Sequence, residues 1–199
     1  MEWMPEPDSA LLLVDVQRDF CPGGALAVAE GHLVVAPLNA VAARFAAARR
    51  PVIATRDWHP PRTVHFQSHG GTWPAHCVQG TPGAEFHPDL QLPAGTIVVS
   101  KGMGEDEDAY SGFEARDAAG RPLADLLHEL GVRHVYIGGL ATDYCVQATA
   151  LDARRLGFEV TVLADAVRAV NLQPDDGERA MRAMREAGAR VAASAGVAQ

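Results

Sequence analysis

The sequence predicts an α/β fold: a doubly wound, six-stranded, mainly parallel sheet with helices on both faces. Three observations carry that expectation. Short apolar runs of strand length alternate along the chain with longer segments of helical period. The strand-like runs are apolar almost throughout, as strands covered on both faces must be. No internal repeat, linker or low-complexity segment divides the chain, so the strand–helix–strand units are assigned to one domain, 1–199.

Each element has its own signal. Residues 10–16 (ALLLVDV) read as a buried first strand. After a Gly/Pro turn at 22–24, a helix is expected near 33–49, with Leu38, Val41, Phe45 and Ala48 on one face. Segments 51–55 (PVIAT) and 96–100 (TIVVS) read as the second and third strands. Pro122 suits the first turn of a helix carrying Leu123, Leu126, Leu127 and Leu130, which Gly131 closes. The run 134–137 (HVYI) is a fourth strand. Thr142 or Asp143 is expected to cap a helix reaching Leu156, ended by Gly157. A fifth strand at 158–163, a helix at about 175–187 ended by Gly188, and a short sixth strand at 189–192 complete the series.

Composition narrows the function. With 25 Asp+Glu against 17 Lys+Arg, the 199-residue chain has a formal charge of −8, which argues against a nucleic-acid partner. The longest aliphatic run, 10–14, stops at Asp15, so no membrane span is expected. The opening MEWMPEPDSA lacks a positive region followed by an apolar stretch, so no signal peptide is expected either. Three cysteines without a C-x-x-C pair make no disulfide framework and suit a reducing, cytoplasmic setting. The sequence leaves oligomeric state open, a homo-oligomer included.

One segment breaks the alternation. Residues 57–93 hold six prolines, four glycines and no clear period. They also hold five of the eight histidines: His59, His65, His69, His76 and His87. A long structureless stretch inside a compact domain points to function. In extended backbone, Asp57 and His59 point the same way, so a carboxylate and an imidazole can share a divalent ion. His76 can close a two-His, one-carboxylate set, with His65 as a further candidate ligand. On local sequence, turn-capping histidines explain the same residues equally well. His69 and His87 read as surface residues, and the acidic run 105–108 reads as a solvated loop.

Ligands of open parallel sheets bind beyond the carboxyl ends of the strands. Asp15, Asp57, Lys101, Cys145 and Asp165 all fall at or just after predicted strand ends, so they are expected along one edge. Cys145 lies in GGLATDYCV, in the first turn of a predicted helix, where the macrodipole and free N–H groups favour a thiolate. A neighbouring Lys101 would lower its pKa, and Asp15 would shuttle its proton. Nucleophile and buried core cysteine stand level on that evidence. Phe20 and Trp73 flank the same edge and are suited either to stacking on a flat ring or to core packing. Cys21 and Cys77 have no such setting.

Five segments in order, LLLVDVQRDFCPGGALAV, ATRDWHP, WPAHCVQGTPGAEFHPDL, VVSKGMGEDEDAYSGF and GGLATDYCVQATALDA, resemble nicotinamidases (pyrazinamidases) of the isochorismatase-like cysteine hydrolases. The match runs from about residue 10 to 165. The resemblance implies that Asp15, Lys101 and Cys145 form an Asp-Lys-Cys catalytic triad. It implies that Asp57, His59 and His76 hold one divalent metal, to which the pyridine nitrogen of nicotinamide binds. Zn²⁺ is the expected ion, with Fe²⁺ or Mn²⁺ as alternatives. His65 matches the fourth ligand of some members, while others use a different residue or water. The backbone N–H groups of Ala141 and Cys145 match an oxyanion hole, the Leu140–Ala141 peptide matches one that is cis, and Phe20 and Trp73 match aromatic residues lining the substrate ring. The implied activity is hydrolysis of nicotinamide to nicotinate and ammonia in NAD salvage, with pyrazinamide as a further substrate. The alternatives are an amidase of the same superfamily acting on another small amide, and a non-catalytic metal- or ligand-binding protein on the same scaffold.

Overall fold

The computed structural model describes residues 3–196. Among them is a six-stranded sheet made of Ser9–Val14 (β1), Val52–Asp57 (β2), Ile97–Lys101 (β3), His134–Leu140 (β4), Glu159–Arg168 (β5) and Arg190–Ala192 (β6). The order is β3-β2-β1-β4-β5-β6 and every pairing is parallel, so the order reverses between β1 and β4. That reversal opens a crevice at the carboxyl edge, where the loops after β1 and β4 diverge.

The helices are Val35–Ala47 (α1), Leu123–Glu129 (α2), Gln147–Arg155 (α3) and Asp176–Glu186 (α4). Strand β1 shows how they divide. Its six residues are all buried, and alternate side chains enter different cores. Leu11 and Leu13 meet Leu38, Val41 and Phe45 of α1 on one face. Ala10, Leu12 and Val14 join the opposite core with Leu126 of α2, Ala150 of α3 and Met184 of α4. The near-continuous apolar run of β1 is the consequence of facing two cores.

Several boundaries differ from the sequence reading. β1 stops at Val14 because Asp15 takes a left-handed φ of 49°. β4 continues through Gly138 and Gly139, and β5 runs on to Arg168 past a register shift between Ile137 and Gly139. The segment after β4 does not begin as an α-helix: Thr142–Val146 is a π-helical turn with Ala141 at its N-cap and no side-chain cap. Asp143 is instead spent on the loop after β5, accepting from the N–H groups of Val170 and Asn171, each at 2.8 Å. α3 then ends as expected, at Gly157 with φ +90°. No helix among the described residues is long and apolar enough to cross a membrane.

At Gly139, β4 leaves no room for a side chain against β1. Its φ is +132°, and a Cβ there would sit 2.0 Å from the Val14 carbonyl oxygen. Neither backbone can give way without breaking the central strand pair. Gly139→Ala is therefore expected to cost about 3 kcal/mol or more of stability, read as a lower urea midpoint at unchanged slope. A midpoint equal to wild type would show that the two strands tolerate separation.

Candidate active site

Four of the five polar residues expected at the carboxyl edge converge there. Asp15 follows β1, Asp57 and Lys101 end β2 and β3, and Cys145 lies in the π-helical turn after β4. Asp57 and Lys101 are in register on adjacent strands, which brings their side chains together. The fifth, Asp165, is not part of the cluster. It lies within β5 and accepts from the N–H (2.7 Å) and Oγ (2.6 Å) of Ser194, anchoring the segment after β6.

Lys101 organises the cluster. Its Nζ is 2.9 Å from Asp15 Oδ2, donates to Asp57 Oδ1, and reaches Cys145 Sγ at 3.5 Å. The contacts to Asp57 and Cys145 are hydrogen bonds, and that to Asp15 is an ion pair. Asp15 is fixed from the other side: Thr55 Oγ donates to its Oδ1 at 2.6 Å. The donor and acceptor atoms of Asp15, Asp57 and Cys145 lie within 4.8 Å of one another, and all three side chains are buried.

Burial and charge set the protonation states. Burial opposes charge on Lys101, but Asp15, Asp57 and Cys145 outweigh it and hold its pKa well above the lysine range. Burial likewise opposes ionisation of Asp57, yet Lys101 and the neighbouring imidazoles of His59 and His76 keep its carboxyl well below the usual range. Asp15 goes the other way. Burial raises its pKa further than Lys101 lowers it. Cys145 is also pushed well above the thiol range, by burial first and by the two carboxylates, with Lys101 opposing. The burial of Cys145 thus works against the thiolate that its helix position and Lys101 favour, and Asp15 lies close enough to take its proton.

The histidines form the second half of the site. Ring nitrogens of His59, His65 and His76 come within 4.8 Å of one another. Nε2 of His59 and of His76 lie 3.5 Å and 3.7 Å from Asp57 Oδ2. The other ring nitrogens are engaged: His59 Nδ1 with the Gly102 carbonyl at 3.0 Å, His76 Nδ1 with the Pro74 carbonyl at 2.8 Å, and His65 Nδ1 with Asp108 Oδ1. These contacts fix each ring and leave Nε2 as the free lone pair, the arrangement found behind metal-bound imidazoles. His59 Nε2 is buried with no hydrogen-bond partner. Three imidazole nitrogens and a carboxylate oxygen gathered this closely are a donor set that divalent transition-metal ions accept. The residues thus fit one divalent metal, with Asp57 facing Lys101 through one oxygen and the histidines through the other.

A pocket with about 410 Å³ of empty space, its mouth included, opens onto both halves, and its lining contains Asp57, His76 and Cys145. Phe20, Trp73 and Ala141 line it, and the Leu140–Ala141 peptide is cis. Tyr110 and Tyr144 belong to it as well, and sequence reasoning passed over both. Tyr110 OH accepts from Trp73 Nε1 at 3.0 Å, and Tyr144 meets the Trp73 ring edge-on at 4.9 Å. Asp108 lies on an exposed acidic loop, as read from the sequence, and also bonds His65. His69 is exposed, and the His87 ring lies outside the cluster, accepting from the Asp89 N–H at 3.2 Å. Cys21 and Cys77 are buried away from the cluster's lysine bonds, the Cys21 thiol pushed up to about 11 by burial.

A buried Asp-Lys-Cys cluster at the switch point of a six-stranded parallel sheet, beside a three-histidine pocket, defines a class of cysteine hydrolase. The chain belongs to the isochorismatase family, whose domain matches residues 9–196. Among its relatives are the nicotinamidase of Escherichia coli, 41% identical over 92% of this chain and 93% of that protein, and the nicotinamidase/pyrazinamidase of Mycobacterium tuberculosis, 42% identical over 93% and 98%. The crystal structure of the pyrazinamidase of Pyrococcus horikoshii in complex with zinc superposes with a TM-score of 0.87 at 47% identity, covering 94% of this chain and 99% of that one.

Proposed function

We propose that this protein is a metal-assisted cysteine amidase that hydrolyses nicotinamide to nicotinate and ammonia, acting in the cytoplasm within NAD salvage, and that it accepts pyrazinamide. The observation that carries the reading is Lys101 Nζ, which joins the Cys145 thiol, the Asp15 carboxylate and the carboxylate facing the histidines in one buried cluster. The names of the relatives supply the substrate class.

Asp15 takes the Cys145 proton as Sγ attacks the carboxamide carbon, and Lys101 steadies the negative charge on both. The oxyanion is received by the backbone N–H groups of Ala141 and Cys145. Asp15 returns the proton to the departing ammonia, leaving a thioester on Cys145. Water then adds to the thioester with Asp15 as base, nicotinate leaves, and the thiol recovers its proton. Asp57, His59 and His76, with His65 as fourth ligand, would hold one divalent ion, Zn²⁺ in the first place. When bound, that ion supplies a docking point for the pyridine nitrogen and withdraws electron density from the ring. Phe20 and Trp73 confine the ring so that its carboxamide meets Sγ.

Purified protein is expected to release ammonia from nicotinamide, and from pyrazinamide, in a coupled assay. Dialysis against a chelator should lower turnover by about tenfold or more, with recovery on adding Zn²⁺. No release by the zinc-loaded protein would overturn the assignment. A different small amide turned over with higher kcat/KM would keep the chemistry and change the substrate.

A further inference from the structure

Asp57 ends β2, and its backbone N–H and C=O point towards the place where β1 would continue. β1 has already left: it stops at Val14, and Asp15 turns away with φ 49°. The gap is filled by a side chain. Gln17 Oε1 accepts from Asp57 N–H at 2.8 Å, and Gln17 Nε2 donates to Asp57 C=O at 2.8 Å. The second Nε2 hydrogen goes to the Ala84 carbonyl, 2.9 Å away, in the far part of the histidine-bearing segment. Gln17 is fully buried, and its amide thus replaces the peptide of a missing strand with both donors and its acceptor used.

We propose that Gln17 is a positioning residue for the metal site, setting the affinity for a divalent cation by clamping the backbone of Asp57. The inference rests on the reading that Asp57, His59 and His76 hold that ion. Asp57 must present one oxygen to Lys101 and the other towards His59 and His76, so a rotation of its backbone disturbs both halves of the site. Only a glutamine meets the requirement. Glutamate has no donor for the two carbonyls, asparagine is one methylene short, and methionine fills the space without any hydrogen bond. The clamp is also independent of the pocket, because Gln17 is not among its lining residues.

The test is zinc affinity, measured by competition with a chromophoric chelator on metal-free protein. Gln17→Met is expected to weaken zinc binding about 10- to 100-fold while circular dichroism shows a folded chain. Gln17→Asn, a smaller change, carries the same readout if the Met variant does not fold, with a loss of about tenfold expected. Tyr136→Phe serves as the comparison. It deletes a 2.7 Å bond to Glu6 at the opposite end of the sheet, so it destabilises the fold without touching Asp57. It should bind zinc as wild type does. A folded Gln17 variant with wild-type affinity would overturn the proposal, as would an equal loss in Tyr136→Phe. A wild-type protein that binds no zinc would overturn the metal-assisted reading itself, so the two failures are separable.

Discussion

Replacing Cys145 with alanine is expected to lower kcat/KM for nicotinamide by about 10⁴-fold or more, equivalent to roughly 5.4 kcal/mol of lost transition-state stabilisation. The size of the effect follows from the loss of the only thiol within reach of both Lys101 and Asp15. Cys21 and Cys77 make no hydrogen bond to Lys101, and burial raises both of their pKa values, so neither substitutes. Zinc content should be unchanged, because Cys145 contacts none of the histidines by hydrogen bond or ion pair among the described residues. Ammonia release is the readout. A variant retaining more than about one-hundredth of wild-type turnover would exclude Cys145 as the nucleophile.

That prediction depends on how the thiol is activated. A cysteine in the first turn of a helix invites the expectation of a stable thiolate, because the macrodipole and one nearby lysine both favour it. Here the lysine already serves two carboxylates, and the nucleophile is buried with them. A third negative charge beside one ammonium is unfavourable, which favours keeping the proton on sulfur until a base removes it. The raised pKa of Asp15 suits that task, since a stronger base accepts the proton more readily and, once protonated, can give it up to a leaving amine. The arrangement trades a standing nucleophile for one formed only as the substrate carbon is attacked.

The parts of the site that sequence made legible are those whose position depends on strand ends. Asp15, Asp57 and Lys101 are adjacent because β1, β2 and β3 are neighbours in register, and apolar runs mark where each strand stops. Asp57 and His59 share an extended backbone, so their common direction is local information. What stayed hidden depends on contacts between segments far apart in the chain. Thr55, Gln17 and Asp108 reach their partners across 40, 40 and 43 residues, and each looks alone like an ordinary strand or loop residue. Asp143 misled for the opposite reason. It occupies a plausible capping position, but the π-helical turn needs no side-chain cap and the loop at Val170 and Asn171 needs an acceptor. Asp165 misled because β5 runs five residues past the end of its apolar run.

The second large effect concerns Lys101→Met, which keeps the length of the side chain and removes its charge. Turnover should fall by about 10³-fold or more, because Lys101 is the cation that offsets the charge passing between Asp15 and the forming thiolate. Stability should fall too, by about 3–5 kcal/mol in the metal-free protein, since breaking a buried ion cluster by deleting one partner leaves uncompensated charge. The pH dependence of that loss identifies its source. Asp15 already titrates above its unfolded value of 3.8. Its contribution is therefore fully present below that pH and is lost as pH rises through the folded pKa. Without Lys101 the folded pKa moves further up, so the variant loses more on the way to neutral pH than wild type does. The gap in melting temperature between variant and wild type should accordingly be wider at pH 8 than at pH 5. A gap that stays constant would mean that Lys101 stabilises the fold through packing alone. A gap that narrows towards pH 8 would mean that the two carboxylates are not what the ammonium holds together.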